Sequence, residues 1–272
     1  MALSLRSVPA AQGSRWVRDG FRLFGKHPLP FSLLFVVFLA AAALSSVVPL
    51  LGGVVMLAAV PLLSLGFMVA SESALQGGPV HPGQFFSPLR GDPARRRSLL
   101  VLCAGYAAAT LLILVLSHAV DDGAFEALQR LLAEGGKPDE VEKLLADPGL
   151  QTGLMLRFGL IALLSVPYWH APALVHWGGQ GPAQALFSST LALWRNKGAL
   201  TVYLLAWFGL FTVFGVVTSL LLGLGGMLAV VAMPAALIFS TVFYVSLLFT
   251  FNDSFGGSQP DVAAPASEKA GE

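Results

Sequence analysis

Two stretches of this chain contain no charged residue: Phe31 to Ser71 and Gly198 to Asn252. A helix resting on a water-soluble core keeps a polar stripe toward solvent, and neither stretch has one. A bilayer core is crossed by about 20 helical residues, so each stretch supplies two crossings. Inside hydrocarbon the backbone has no water to bond, and a helix satisfies its own N–H and C=O groups within the segment. The runs are continuously apolar, whereas the strands of a membrane barrel alternate in polarity. The expected fold class is therefore an all-α polytopic membrane protein.

Two more apolar runs, Ser98 to Val120 and Leu154 to Val175, complete the count. The six predicted spans cover about 31–48, 51–71, 98–120, 154–175, 199–222 and 227–251, arranged as three hairpins. Breaks inside the long stretches are placed at Pro49, Gly52 and Gly53, and at Gly223, Gly225 and Gly226, because proline and glycine favour tight turns. Residues 1–30 read as an N-terminal amphipathic segment and 121–153 as an acidic helical loop. Residues 252–272, rich in Gly, Pro, Ala and Ser, read as a disordered tail. Phe31 to Ala43 resembles the core of a secretory leader, with Ala41 and Ala43 as cleavage residues. However, 30 residues precede it and the apolar run continues past Ala43, so a retained span is expected.

Composition narrows the function. The chain is 56% hydrophobic and 11% charged, where soluble domains are about one quarter charged. A net charge of +1 gives no excess for nucleic acid. The single cysteine, Cys103, closes no internal disulfide and excludes a multi-cysteine metal centre. It reads as a small packed hydrophobe.

The loops sort by sign. Arg6, Arg15, Arg18, Arg22 and Lys26 precede the first span, Arg90, Arg95, Arg96 and Arg97 the third, and Arg195 and Lys197 the fifth. In a six-span chain these segments share one side. The opposite loop holds Asp121, Asp122, Glu126, Glu134, Asp139, Glu140, Glu142 and Asp147 against Arg130, Lys137 and Lys143. The positive-inside rule then predicts a multi-pass inner-membrane protein with both termini in the cytoplasm. The acidic loop itself predicts two short helices. Phe125, Leu128 and Leu132 share a face of one, and Pro138, Asp139 and Glu140 open the other at its positive end.

A weak threefold pattern accompanies the hairpins. Trp16, Phe21 and Phe24 lie on the apolar side of a segment whose other side carries Arg15, Arg18 and Arg22. Leu186, Phe187, Leu191 and Trp194 form a similar stripe closed by Arg195 and Lys197. Phe85, Phe86 and Leu89 give a degenerate middle copy. Glycine pairs follow at Gly77-Gly78, Gly178-Gly179 and Gly256-Gly257. Segments of this kind lie in the headgroup plane with aromatics down and cations toward anionic lipid. Trp16, Phe21, Phe24, Arg15, Arg18, Arg22, Trp194 and Arg195 are thus the expected interface anchors, and anionic headgroups the expected partner.

Ionisable residues within spans are the natural candidates for chemistry. Glu72 ends the second span, and His170 and His176 lie late in the fourth. Pro167 and Pro172 flank His170 and remove backbone donors there, so its imidazole is a candidate partner for the freed carbonyls. Six residues separate the two histidines, about 120° around a helix, which prevents both from serving one metal. A Glu72–His170 pair across the bundle is the sharpest polar expectation. Arg157 is expected to snorkel to the headgroups, and His118 closes the third span. No His-Glu-x-x-His, Gly-x-Ser-x-Gly or P-loop pattern occurs, so neither enzyme activity nor a cofactor is expected. Pro61, Pro167, Pro172 and Pro234 interrupt three spans.

The run Ala171-Pro172-Ala173-Leu174-Val175, followed by Ala185-Leu186-Phe187 and Trp194-Arg195-Asn196, resembles a family of six-helix inner-membrane proteins of Gram-negative bacteria. Pro61 with Gly66-Phe67-Met68, and Trp16 with Phe24 and Pro28, carry the same resemblance. It implies an inner-membrane location and brings no assigned activity. It also implies an aromatic residue where this chain has His170. The functional expectation is a non-enzymatic scaffold or interaction protein, with a second membrane protein as partner. The alternative is a transporter or channel for a small or amphipathic solute. A polar cavity at mid-membrane, lined by proline-kinked spans, favours the alternative; a tight apolar bundle favours the first.

Overall fold

The computed structural model describes residues 3–45, 47–48, 51–222 and 227–256, with side chains described outside 221–231. Pro49, Gly223, Gly225, Gly226, Gly257 and the tail from 257 onward lie outside the described residues. Eleven α-helices are described: α1 Gln12–Lys26, α2 Pro28–Ser45, α3 Leu51–Leu75, α4 Pro93–Asp121, α5 Ala124–Ala133, α6 Pro138–Leu145, α7 Pro148–Tyr168, α8 Ala171–His176, α9 Pro182–Arg195, α10 Lys197–Leu222 and α11 Met227–Phe255. Two 3-10 turns, Pro82–Phe85 and Ser87–Leu89, precede α4.

Six helical units are long and apolar enough to cross a bilayer: α2, α3, α4, α7 continued by α8, α10 and α11. Their outward surface is apolar. Leu205, Phe208, Val213 and Leu220 of α10 are all exposed, and only 11% of that span is buried inside the protein. A face so oily is stable against lipid and not against water. The all-α polytopic class read from the sequence is the fold observed.

Helices outrun the apolar runs wherever a capping residue is present. α4 starts five residues before Ser98 because Asp92 accepts the Ala94 N–H at 3.0 Å. α7 starts at Pro148 because Asp147 accepts the Leu150 N–H at 2.8 Å. Gly52 and Gly53 belong to α3 rather than to the turn before it. A Cβ on Gly52 would strike the Ser45 carbonyl, so that glycine permits close approach of the hairpin arms. At the other end α11 runs through Asp253, Ser254 and Phe255, where the sequence suggested the tail. These residues stay helical because they pack: Phe255 is buried, and Asp253 accepts hydrogen bonds from Gln12 at 2.6 Å and Trp16 at 2.7 Å.

Helical segments precede all three hairpins, in three different settings. α1 lies along α10 and α11 with Trp16, Val17, Gly20 and Leu23 buried. Phe85 of the 3-10 turns packs on Phe67 and Phe38. α9 packs on α7 and α8 through Ala185, Ser189, Ala192 and Leu193. The anchoring role expected for Trp16 is corrected here. Trp16 is 2% exposed and donates to Asp253, so its ring meets protein and not headgroups. Phe21 stacks against Trp207 at 5.9 Å, and Phe24 packs into the same core. A narrow groove between two long helices buries this apolar stripe more completely than an interface would. Arg15, Arg18 and Arg22 remain exposed on the outer face of α1. Trp194, 72% exposed, and Arg195 face outward from α9.

Candidate functional site

The fourth span is broken where Pro167 and Pro172 fall. α7 ends at Tyr168 and α8 begins at Ala171, with His170 between them. The Ser189 hydroxyl of α9 mends the break. It accepts the His170 backbone N–H at 3.0 Å and donates to the Val166 carbonyl at 3.2 Å. The imidazole expected to fill this role is used elsewhere. Its Nε2 meets Thr250 Oγ1 at 3.0 Å, and its ring sits edge-on to Phe251 and Phe255. Its Nδ1 is buried without a hydrogen-bond partner.

The Glu72–His170 pair does not form. Glu72 has the Trp177 indole as its hydrogen-bond partner, while His170 faces α11. His176 packs against Trp177 with ring centroids 5.3 Å apart, and its backbone carbonyl accepts from Arg95 at 3.2 Å. The three candidates therefore divide: Glu72 and His176 flank Trp177 at the basic end of the molecule, and His170 is locked in the core.

At the opposite end Arg157 departs from the snorkelling expectation. It is buried, lies 3.5 Å from Asp121, donates to Ser117 Oγ at 2.9 Å and covers the Phe125 ring at 3.8 Å. No spacing rule signals this pairing, because 36 residues separate the partners in sequence. An arginine in the first turns of a span, facing an acid at the end of the preceding one, was the available clue. His118 Nδ1 meets Glu126 Oε2 at 3.2 Å beside them. Burial pushes the Glu126 carboxyl up, but its own backbone N–H, His118 and Arg157 outweigh that and hold it below the usual carboxylate range. His118, Asp121 and Glu126 place ligand atoms within 4.8 Å of one another. Their donor types suit a divalent cation, but the Arg157 charge already neutralises Asp121 and opposes a second cation there.

A cavity of about 270 Å³ lies between α3, α4, α7 and α11. Pro61 and Ser64 line one wall, Tyr106 the second, Ser165, Tyr168 and Trp169 the third, and Phe243, Tyr244 and Leu247 the fourth. Pro61, Ser64, Tyr106, Phe243 and Tyr244 sit near the middle of their spans, whereas Tyr168 and Trp169 sit toward the far end of theirs, beside the break at His170. Two of the walls carry prolines inside helices, Pro61 in α3 and Pro167 in α7. Each proline lacks the N–H that would bond the carbonyl four residues earlier, and each displaces its helix locally. The cavity has no charged lining. Ser64 and Ser165 donate to Pro61 and Ala162 carbonyls of their own helices, which leaves their oxygen lone pairs free to accept. Among the described residues no hydrogen bond engages the Tyr168 or Tyr244 hydroxyl. The prolines are legible in the sequence and the tyrosines are not, because their convergence depends on how four helices pack.

The fold and this space define a class: a multi-pass helical membrane protein with an uncharged, open cleft among its spans. Over 263 residues the chain is 33% identical to a probable inner membrane protein of Burkholderia thailandensis, spanning 95% of this chain and 96% of that one. The chain belongs to that family of inner-membrane proteins. No protein-family profile matches it, and no solved structure does.

Proposed function

We propose that this inner-membrane protein binds a small amphipathic solute in the mid-membrane cavity, as a transporter or carrier within the bilayer. The observation that carries the reading is the convergence of four spans, two kinked by proline, on an uncharged space holding tyrosine and serine hydroxyls. Ligand sites in membrane carriers form where helices are broken near the midplane, and a tightly filled scaffold bundle has no use for such a space. Both termini lie in the cytoplasm and α5 and α6 lie outside, by the charge sorting of the loops. Exposed Arg96, Arg97, Trp194 and Arg195 hold the inner face against anionic headgroups.

The test compares wild type with the cavity-filling variant Ser165→Phe, each extracted with native lipid and analysed by mass spectrometry. Wild type retains a small amphipathic molecule that the filled variant lacks. Identical molecules in both overturn the reading. Accessibility of single cysteines at Arg96 and Glu134, in a Cys103→Ser background, tests the orientation: only the second labels from outside an intact cell.

A further inference from the structure

The chemistry of the cavity wall narrows what it accepts. We infer that its ligand is a flat, uncharged ring bearing carbonyl acceptors and an apolar tail, the chemistry of a lipid-soluble quinone; this rests on the reading above that the cavity is a solute site. No Lys, Arg, His, Asp or Glu lines the space. A charged head would be stripped of water without a counter-charge, which is strongly unfavourable. The Tyr168 and Tyr244 hydroxyls come from different helices and lack protein acceptors, so the wall offers O–H donors seeking carbonyl oxygen.

Shape agrees with this donor pattern. Tyr106 and Tyr168 stand edge-to-face with centroids 5.1 Å apart, and Trp169 meets Phe243 in the same way at 6.0 Å. Such walls favour a flat ring, which stacks or meets them edge-on. The volume of about 270 Å³ falls below the roughly 300 Å³ at which sites for whole drug-sized ligands begin. The cavity therefore takes a head and leaves the tail in the bilayer. Access is lateral: α7 packs on α4 and α9 rather than on α11, and Trp169, itself part of the wall, links to α11 through Phe243 and Thr250. Gly105 keeps this wall open. A Cβ there would come within 2.9 Å of the Tyr168 hydroxyl and push the ring aside.

The probe is decylubiquinone, titrated into the full-length protein in nanodiscs and read by quenching of indole fluorescence. Wild type shows a saturable component beyond lipid partitioning, and Ser165→Phe abolishes it. The double variant Tyr168→Phe/Tyr244→Phe keeps both rings and weakens apparent affinity about tenfold or more, as loss of two hydrogen bonds requires. Equal quenching in wild type and the double variant overturns the inference. If decanol competes with a bound solute in a Ser165-sensitive way while the quinone does not bind, the ring class is wrong and the cavity reading stands. If neither probe binds in a Ser165-sensitive way, both fail. Size-exclusion profiles matching wild type establish that each variant is folded.

Discussion

Arg157 and Asp121 face each other across 3.5 Å with both side chains buried, where the end of α4 meets the first half of α7. Removing one partner leaves a lone charge out of water, which costs about 3–5 kcal/mol for a buried pair. Arg157→Ala and Asp121→Ala should each lower the unfolding temperature sharply in detergent. The paired change Arg157→Met/Asp121→Leu removes both charges together and should recover most of the loss. Fluorescence-detected size exclusion after heating reads all three. A double variant as unstable as either single one would mean that the pair contributes more than mutual neutralisation.

Ser189 and His170 make opposite predictions although they touch. The Ser189 hydroxyl satisfies a donor and an acceptor left by the proline break, so Ser189→Ala strands the buried His170 N–H and leaves the Val166 carbonyl with only its 3.4 Å bond from the Trp169 N–H. Its expected cost is about 1–3 kcal/mol. The His170 ring lies between Phe251 and Phe255 and leaves Nδ1 unbonded, so His170→Phe trades one hydrogen bond to Thr250 for the relief of a buried orphan. That exchange should be near neutral. Denaturation in mixed micelles ranks the two, and a His170→Phe variant that fails to fold would assign the imidazole a larger role.

Glu126 carries a pH signature. Its carboxyl is held below the ordinary value in the folded state, so folding favours the ionised form. The resulting stability is fully present above the unfolded carboxylate pKa of about 4.3 and is lost as pH falls through the lower folded value. Glu126 is half-exposed, so solvent screening keeps the contribution below about 1 kcal/mol. Glu126→Gln should lower stability slightly at pH 6, with the difference from wild type shrinking as the pH falls below the unfolded carboxylate value. Thermal unfolding across that range checks the sign, and a variant more stable than wild type at pH 6 would contradict it.

The spans were legible because their signal is additive: dozens of consecutive apolar residues all vote for hydrocarbon. The mid-membrane polar contacts were not. Ser189 looks like any small residue on a helix face, and its use depends on where α9 lies against a break in another span. Glu72 and His170 are expected from the sequence to pair across the bundle, yet Trp177 and Thr250 intercept them. Trp16 beside exposed arginines has the pattern of an interfacial anchor. Periodicity identifies which side of a helix is apolar, and only packing decides whether lipid or protein covers it. The Tyr168 and Tyr244 hydroxyls likewise gained meaning only when their helices were brought together.

The seating of α1 gives the last prediction. Gly13 lies against the Ala199 carbonyl and the Tyr203 backbone N–H, so a Cβ there meets rigid helix backbone rather than a movable side chain. Gly20 lies against Ser246 in the same groove, with a would-be Cβ 2.8 Å from Ser246 Cβ. Gly25, on the same helix, has nothing within 4 Å of that position. Alanine raises helix propensity by about 1 kcal/mol relative to glycine, so Gly25→Ala should be neutral or stabilising. Gly13→Ala should instead lift α1 from α10 and α11, separating Trp16 from Asp253 and exposing an apolar stripe. The expected cost is at least the 1–3 kcal/mol of an overpacked core. Limited proteolysis near Arg18 and Arg22 reads the displacement directly: cleavage should speed up in Gly13→Ala and stay at the wild-type rate in Gly25→Ala. Equal protection in both variants would mean that the groove adjusts and that α1 is held mainly by the Asp253 contacts to Gln12 and Trp16.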